Sequence, residues 1–475
     1  MLDMGSGASR RFPMRWQSCT RFLFASWLSF VALSAGGAVA GEPAAQELPT
    51  AEFGQRRAAA IAKVPDGLLL VPARAFRFHS EQDYWAGFQQ APDFFYFTGL
   101  ASAAGAVLVL DGAAREAWLF APTRLPSLAG RLQRLRVEPG EASAAALGVK
   151  TVAPRSELAG FLMRRLAERP GLILYTTQPV GGDALTLDAA LDEPGEAWGH
   201  ALAALWPAAQ RRSASNLLVE LRAIKSPAEI AALRRVGQSS VAALRAGLRA
   251  LRAGRSQREA EAAVVAGCLN TGAEGPSFWP WVMAGANSAF PAPLESLADY
   301  RHLNRVMKAG EVARVDVGCD VDHYKGDIGR TAPVGGTFDA GQRETWELLV
   351  AAYRAGLTVL RDGIKPATVF AASLAEVKRR QPGLQTPLGR KASALLLQPD
   401  GLSFWQIHGV GLESAERPPE VLRTGMVVAF EPMLAVEGQG FYLEDMILVT
   451  TTGYEILTPG LPYTAMEVER LVISK

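Results

Sequence analysis

Four acids and one histidine in this 475-residue chain have the types and spacing to do chemistry: Asp316, Asp327, His408, Glu431 and Glu444. Asp316 sits in a strand-like run, Glu-Val-Ala-Arg-Val-Asp-Val-Gly (311–318). There Ala313, Val315 and Val317 face one way, while Val312, Arg314 and Asp316 face the other. A carboxylate on such a strand is expensive to bury unless it is paired or bound to a metal. Asp327 stands eleven residues on, after Lys325-Gly326, where a turn is expected to bring the two carboxylates together in a hairpin. His408 follows the apolar run Phe404-Trp405-Gln406-Ile407. Glu431 closes a stretch in which Met426, Val428 and Phe430 alternate with Val427, Ala429 and Glu431. Glu444 shares a face with Tyr442, Met446 and Leu448. Any one of these residues alone reads as an ordinary core or structural group. Together they make an oxygen-rich set with one imidazole, which suits a pair of Mn, Co, Zn or Fe(II) ions better than a thiolate site would. Two ions about 3.5–4 Å apart can activate one water and clamp a carbonyl oxygen during attack.

The elements that must position these residues fall in the second half of the chain. Ser226-Pro227-Ala228-Glu229 reads as a helix start, with Ser as cap, Pro at the first turn and Glu reaching back. Ile230, Leu233, Val236, Val241, Leu244 and Leu248 then form a helical stripe. A further helix is expected over roughly 257–270, then a strand-like, Gly-rich pattern, then a helix near 340–361. Upstream, Leu68–Val71, Ala106–Leu110, Ala117–Phe120 and Leu172–Tyr175 read as buried strands between Ala/Leu/Arg-rich helical stretches. The division is therefore 1–40, 41–54 (a flexible leader), 55–216 and 217–475.

Residues 1–40 read as a secretory signal peptide. Arg10, Arg11, Arg15 and Arg21 precede an apolar run from Phe22 to Leu33, too short for a bilayer span, and Ala38-Val39-Ala40 offers a cleavage site before Gly41. Removing four arginines and one aspartate takes the formal charge from +2 to −1. A secreted or periplasmic chain is expected, with no membrane attachment after cleavage. That balance gives no argument for nucleic-acid binding. Phosphate-cradling loops, the dinucleotide fingerprint, Gly-x-Ser-x-Gly and Cys-x-x-Cys are all missing. Cys268 and Cys319 remain after cleavage. Because Cys319 lies beside the acids, both are read as buried thiols.

On these residues, the C-terminal half resembles the pita-bread metallopeptidases: methionine aminopeptidase, Xaa-Pro aminopeptidase and prolidase, with creatinase as a metal-free relative. All five candidate segments occur in the family order. Lys-Gly-Asp-Ile-Gly-Arg-Thr (325–331) is similar to the family's Asp-Ile-Thr-Arg-Thr, with Gly329 at a common Thr. Leu-Arg-Ala-Ile-Lys-Ser (221–226) is similar to the segment that opens this domain, and Tyr-Phe-Thr-Gly-Leu (96–100) more loosely resembles the N-terminal domain of the creatinase/aminopeptidase P proteins. The resemblance implies an α/β (α+β) chain, a creatinase-like N-terminal domain followed by a pita-bread catalytic domain. It implies that Asp316 chelates one metal through both oxygens, that Asp327 and Glu444 bridge two metals, and that His408 and Glu431 complete the other. Glu431 would also take a proton from a bridging water. The implied activity is an exported dinuclear exopeptidase of the Xaa-Pro aminopeptidase or prolidase type, using a metal-bridging hydroxide. Its substrate would be a peptide with proline in second position, its cofactors two divalent ions (Mn²⁺ first, with Co²⁺, Zn²⁺ or Fe²⁺ as alternatives), and its assembly a homo-oligomer.

The chain departs from that pattern where the family keeps histidines that hold substrate. Seven residues after His408 stands Ala415; the upstream position falls on Ala292 or Asp299, depending on which flank is aligned. Four residues before His408 stands Phe404, and an arginine found near the last ligand in some members is Tyr442 here. Each lost donor toward a developing oxyanion costs about 2.7–4 kcal/mol. His302, His323 and Tyr442 are the candidate substitutes for substrate contact; His79 and His200 read as structural or surface residues. The alternative reading is a metal-binding pita-bread protein with lost or altered peptidase activity.

Overall fold

The computed structural model describes residues 48–74, 89–123, 137–177, 197–289, 303–398 and 403–474. The expected signal peptide lies outside them, as do His79, Ala292, Asp299 and His302. The expected leader is in part a helix: α1, Thr50–Lys63, buries Phe53, Arg56, Arg57 and Ala60. Arg57 donates to the Phe97 carbonyl at 2.8 Å, and the Arg56 guanidinium lies 4.3 Å from the Tyr96 ring centre. Both acceptors belong to α2, Pro92–Thr98, which the aromatic run before Gly99 builds.

A six-stranded mixed sheet follows, in the order β4-β3-β2-β1-β5-β6. Its strands are β1 Gly67–Pro72, β2 Val107–Asp111, β3 Glu116–Ala121, β4 Thr151–Pro154, β5 Ile173–Thr176 and β6 Gln210–Ser213. The apolar runs read from the sequence form its centre. Leu68, Leu70, Val107 and Val109 pack against Phe161 and Leu162 of α3, Leu158–Glu168.

Beyond it, α4 (Pro227–Ala250) and α5 (Gln257–Leu269) both start with capping boxes, Ser226 with Glu229 and Ser256 with Glu259. A three-stranded sheet orders β11-β10-β7, from β7 Gly275–Pro276, β10 Cys319–Val321 and β11 Tyr324–Lys325. The larger sheet orders β13-β14-β15-β12-β9-β8, with β16 paired to β15, and every pairing in it is antiparallel. These strands are β8 Trp281–Ala284, β9 Val312–Val317, β12 Ile328–Pro333, β13 Ser403–Gly409, β14 Val427–Val436, β15 Gln439–Val449 and β16 Tyr454–Ile456. Helices α6 Ala340–Leu357, α7 Pro366–Arg380, α8 Pro387–Leu397 and α9 Ala465–Ile473 complete the C-terminal part.

Two expectations are corrected here. The turn between the two aspartates is not at Lys325-Gly326 but at Asp322-His323, which separate the paired residues Val321 and Tyr324. Both take positive φ, +52° and +67°, the twist that suits a two-residue hairpin, and short polar Asp and His tolerate it. Cys268 and Cys319 are not thiols but a disulfide. Helix α5 and strand β10 bring their Cα atoms to 5.5 Å, within bridging range, although 51 residues separate them in sequence.

Candidate metal centre

The register of the large sheet lays the candidate residues along one face. Asp316 on β9 is opposite Gly329 on β12, and Gly329 is opposite Glu444 on β15. Trp281 on β8 is opposite Asp316 on its other side, and Gln406 on β13 is opposite Glu431 on β14. Directly opposed residues of antiparallel strands share a face. Asp327 lies two residues from Gly329 and His408 two from Gln406, so period-two alternation puts them on that face as well. His408 Nε2 lies 3.4 Å from Glu431 Oε1, 3.6 Å from Glu444 Oε1 and 3.8 Å from Asp327 Oδ2. Ligand atoms of Asp327, His408 and Glu444 all lie within 4.8 Å of one another. Glu444 is 0% and Asp316 4% exposed, while Glu431 and Asp327, at 8% and 9%, are the most open of the set.

Such a cluster repels itself. Burial and the charges of Glu444, Asp316 and Glu431 push the Asp327 carboxyl well above its usual range, against the pull of His408. Burial, then Glu431, raises Glu444 to about 7. Burial also raises Asp316, against the pull of Arg314. Burial alone would lower His408, yet pairing with Glu431, Glu444 and Asp327 raises it to about 12. Burial and like charge thus favour the protonated forms of Asp327, Glu444 and Asp316 when no cation is bound.

Three features fit these residues to divalent cations. Asp316 Oδ1 and Glu444 Oε1 are buried with no hydrogen-bond donor, an expensive condition that a cation relieves. His408 Nδ1 lies 3.0 Å from the Gly409 carbonyl, a contact that directs its proton there and leaves Nε2 facing the acids. The remaining donors are carboxylate oxygens, the chemistry that Mn²⁺ and its neighbours take.

Two residues that the sequence reading did not assign hold this face. Arg314, two residues before Asp316, donates to Asp316 Oδ2 at 2.6 Å and stacks 3.8 Å from the Tyr442 ring centre. Its signal was already in the alternation that set Arg314 beside Asp316. Behind the sheet, fully buried Arg330 donates to both oxygens of Asp445 (2.9 and 3.2 Å) and to the Glu444 and Gly329 carbonyls (2.6 and 2.8 Å). Asp445 also accepts from Tyr353, Thr458 and Tyr463.

The other candidate residues are placed differently. Tyr442 is buried, and its hydroxyl donates to Glu444 rather than reaching an open space. His323 sits in the hairpin turn with its ring 4.4 Å from Phe95. It lines a cavity of about 500 Å³ with Lys325, Arg74, Ser277 and Ala415; none of the five cluster residues lines it. Phe404 is opposite Met433.

The metallopeptidase family M24 matches residues 231–451, and the aminopeptidase P N-terminal domain matches residues 53–175. The chain is 27% identical over 453 residues to the Xaa-Pro aminopeptidase of Escherichia coli (strain K12), covering 90% of this chain and 99% of that one. Among solved structures it is similar to E. coli aminopeptidase P with the inhibitor Pro-Leu, at TM-score 0.72 and 25% identity over 90% of this chain and 99% of that one. Proline aminopeptidase P II from Yersinia pestis gives TM-score 0.70 and 25% identity, with coverages of 90% and 99%. With both domain types matched and the acids and histidine gathered on one sheet face, the chain belongs to the pita-bread metallopeptidases, in their Xaa-Pro aminopeptidase branch, and is a metalloaminopeptidase.

Proposed function

We propose that this protein is an exported aminopeptidase that removes the N-terminal residue ahead of proline, working with two divalent ions, Mn²⁺ foremost. The observation that carries this reading is the shared face of Asp316, Asp327, His408, Glu431 and Glu444, with two buried carboxylate oxygens left without donors. Asp316, Asp327 and Glu444 would hold the metals through oxygen, and His408 would do so through Nε2. When bound, the ions supply Lewis-acid activation of a water and of the scissile carbonyl. Glu431, among the most open of the acids and 3.4 Å from His408 Nε2, would accept a proton and return it to the leaving amine. His323 and Ala415 line a cavity that none of the five cluster residues lines, so His323 is not assigned the missing histidine's role.

The Cys268–Cys319 disulfide supports export, because such bridges persist in oxidising compartments. N-terminal sequencing of the exported chain should begin at Gly41.

The test of activity is hydrolysis of Xaa-Pro dipeptides and Xaa-Pro-Pro peptides by the Mn²⁺-loaded mature protein. Glu431→Gln serves as control, with bound metal counted in both. Metal-dependent cleavage that disappears in the control supports the peptidase. Two bound metals without cleavage would leave the alternative, a metal-binding relative whose substituted histidines have changed its substrate or ended its activity.

A further inference from the structure

The metal face carries a second row of side chains one step from the acids. Arg314 is opposite Thr331, as Asp316 is opposite Gly329. On the other flank of β12, Gly329 faces Glu444 and Arg330 faces Leu443, and the Tyr442 amide donates to Thr331 Oγ1 at 2.9 Å. Arg314 and Tyr442 thus occupy equivalent places: each stands two residues before a cluster carboxylate, on the strands flanking β12. Arg314 fixes Asp316 Oδ2, and the Tyr442 hydroxyl fixes Glu444 Oε2. In both carboxylates the other oxygen, Oδ1 or Oε1, is the one left without a donor.

The two holders touch each other over the glycine that lies between Asp316 and Glu444. The guanidinium lies 3.8 Å from the Tyr442 ring centre. A Cβ at Gly329 would stand 1.9 Å from a carbon of that ring, so the ring occupies the space that any larger residue at 329 needs. Glycine at 329, tyrosine at 442 and arginine at 314 are therefore one packed solution.

We propose that Arg314 and Tyr442 form a carboxylate clamp, seated over Gly329, that presents the free oxygens of Asp316 and Glu444 to the metals. Both are positioning residues. This rests on the metal-centre reading above and adds to it a specific division of labour between the two oxygens of each carboxylate.

Charge alone and positioning predict opposite signs. Removing the Arg314 cation beside four carboxylates should tighten cation binding if charge is all that matters. If Arg314 positions Asp316, its loss weakens binding, by about tenfold for an outer-shell partner of a ligand. Mn²⁺ titration calorimetry and the visible spectrum of the Co²⁺-loaded protein would be measured for wild type, Tyr442→Phe, Arg314→Gln and the exchanged pair R314Y/Y442R. Tyr442→Phe is nearly isosteric and changes no charge, so it keeps the test readable if the others fold poorly. The expected result is Mn²⁺ binding about tenfold weaker in each single variant, with an altered Co²⁺ band. The exchanged pair, which restores one cation and one hydroxyl beside the carboxylates, should recover to within about threefold of wild type. Wild-type affinity in Tyr442→Phe, tighter binding in Arg314→Gln, or an exchanged pair no better than the worse single variant would overturn the clamp. A wild-type protein that binds no Mn²⁺ would overturn the metal-centre reading itself.

Discussion

Glu444→Gln removes a residue assigned to the metal centre, yet it should stabilise the metal-free protein at pH 8. Glu444 is fully buried, and burial followed by the charge of Glu431 raises its carboxyl from 4.5 to about 7. A folded-state value above the unfolded one means that Glu444's contribution is complete below pH 4.5. It is lost as the pH rises through about 7. The loss is roughly 3 kcal/mol by linkage. A neutral glutamine does not incur it. Wild type and Glu444→Gln, both stripped with EDTA, should therefore have similar melting temperatures near pH 4.5 and diverge up to pH 8, where the variant melts a few degrees higher. Saturating Mn²⁺ should reverse the order, since only wild type keeps the full donor set and gains stability by mass action. Circular dichroism melts of both proteins at both pH values, with and without metal, give the eight melting temperatures required. A metal-free Glu444→Gln protein no more stable than wild type at pH 8 would refute the idea that burial and like charge favour the protonated form of Glu444 when no cation is bound.

Mn²⁺ binding should release protons, since His408, raised to about 12, must lose its proton to offer Nε2; affinity should climb with pH, and calorimetry in buffers of different ionisation enthalpy counts the protons. C268S/C319S should cost up to about 4 kcal/mol, from the chain entropy of a closed loop of this size, and lower the melting temperature under non-reducing conditions. Thiol labelling of the unfolded, unreduced mature protein should find none free. Arg330→Met should cost about 3–5 kcal/mol by leaving Asp445 buried without its cation, measured by urea unfolding of the metal-free protein.

The acids were legible as a set: one carboxylate in a run of valine, phenylalanine and leucine reads as structural, but Asp316, Asp327, Glu431 and Glu444 with His408 make an oxygen-rich donor set that suits cations. The capping box at Ser226 was legible because it involves residues three apart. What joins distant segments was not. The row Asp316–Gly329–Glu444 depends on β15 pairing with β12, a choice made by the whole sheet and written in neither strand. Gly329 looked like a loss of threonine until the Tyr442 ring appeared above it. The disulfide was hidden for the same reason: helix α5 and strand β10 meet only in the folded protein. The hairpin turn was misplaced by three residues because Lys-Gly is a more familiar turn signal than Asp-His, and the choice fell to the register of Val321 and Tyr324. Helices α7 and α8 follow the last helix read from the sequence, near 340–361, and were not read at all.

The metal face is held on both sides by contacts that need no metal. In front, Arg314 and Tyr442 fix one oxygen each of Asp316 and Glu444. Behind, Arg330 ties the Gly329 and Glu444 carbonyls to Asp445, which three hydroxyls also secure. A cluster supported in this way is preformed, and its electrostatic cost falls on protonation rather than on shape. Metal loading should therefore change stability without changing structure. Far- and near-ultraviolet circular dichroism of the EDTA-treated protein at pH 7 should match those of the Mn²⁺-loaded protein, while the melting temperature rises on loading. A metal-free protein that loses its near-ultraviolet signal, with Tyr442 and Trp281 among the reporters nearest the site, would show that the cation builds the face instead of occupying it.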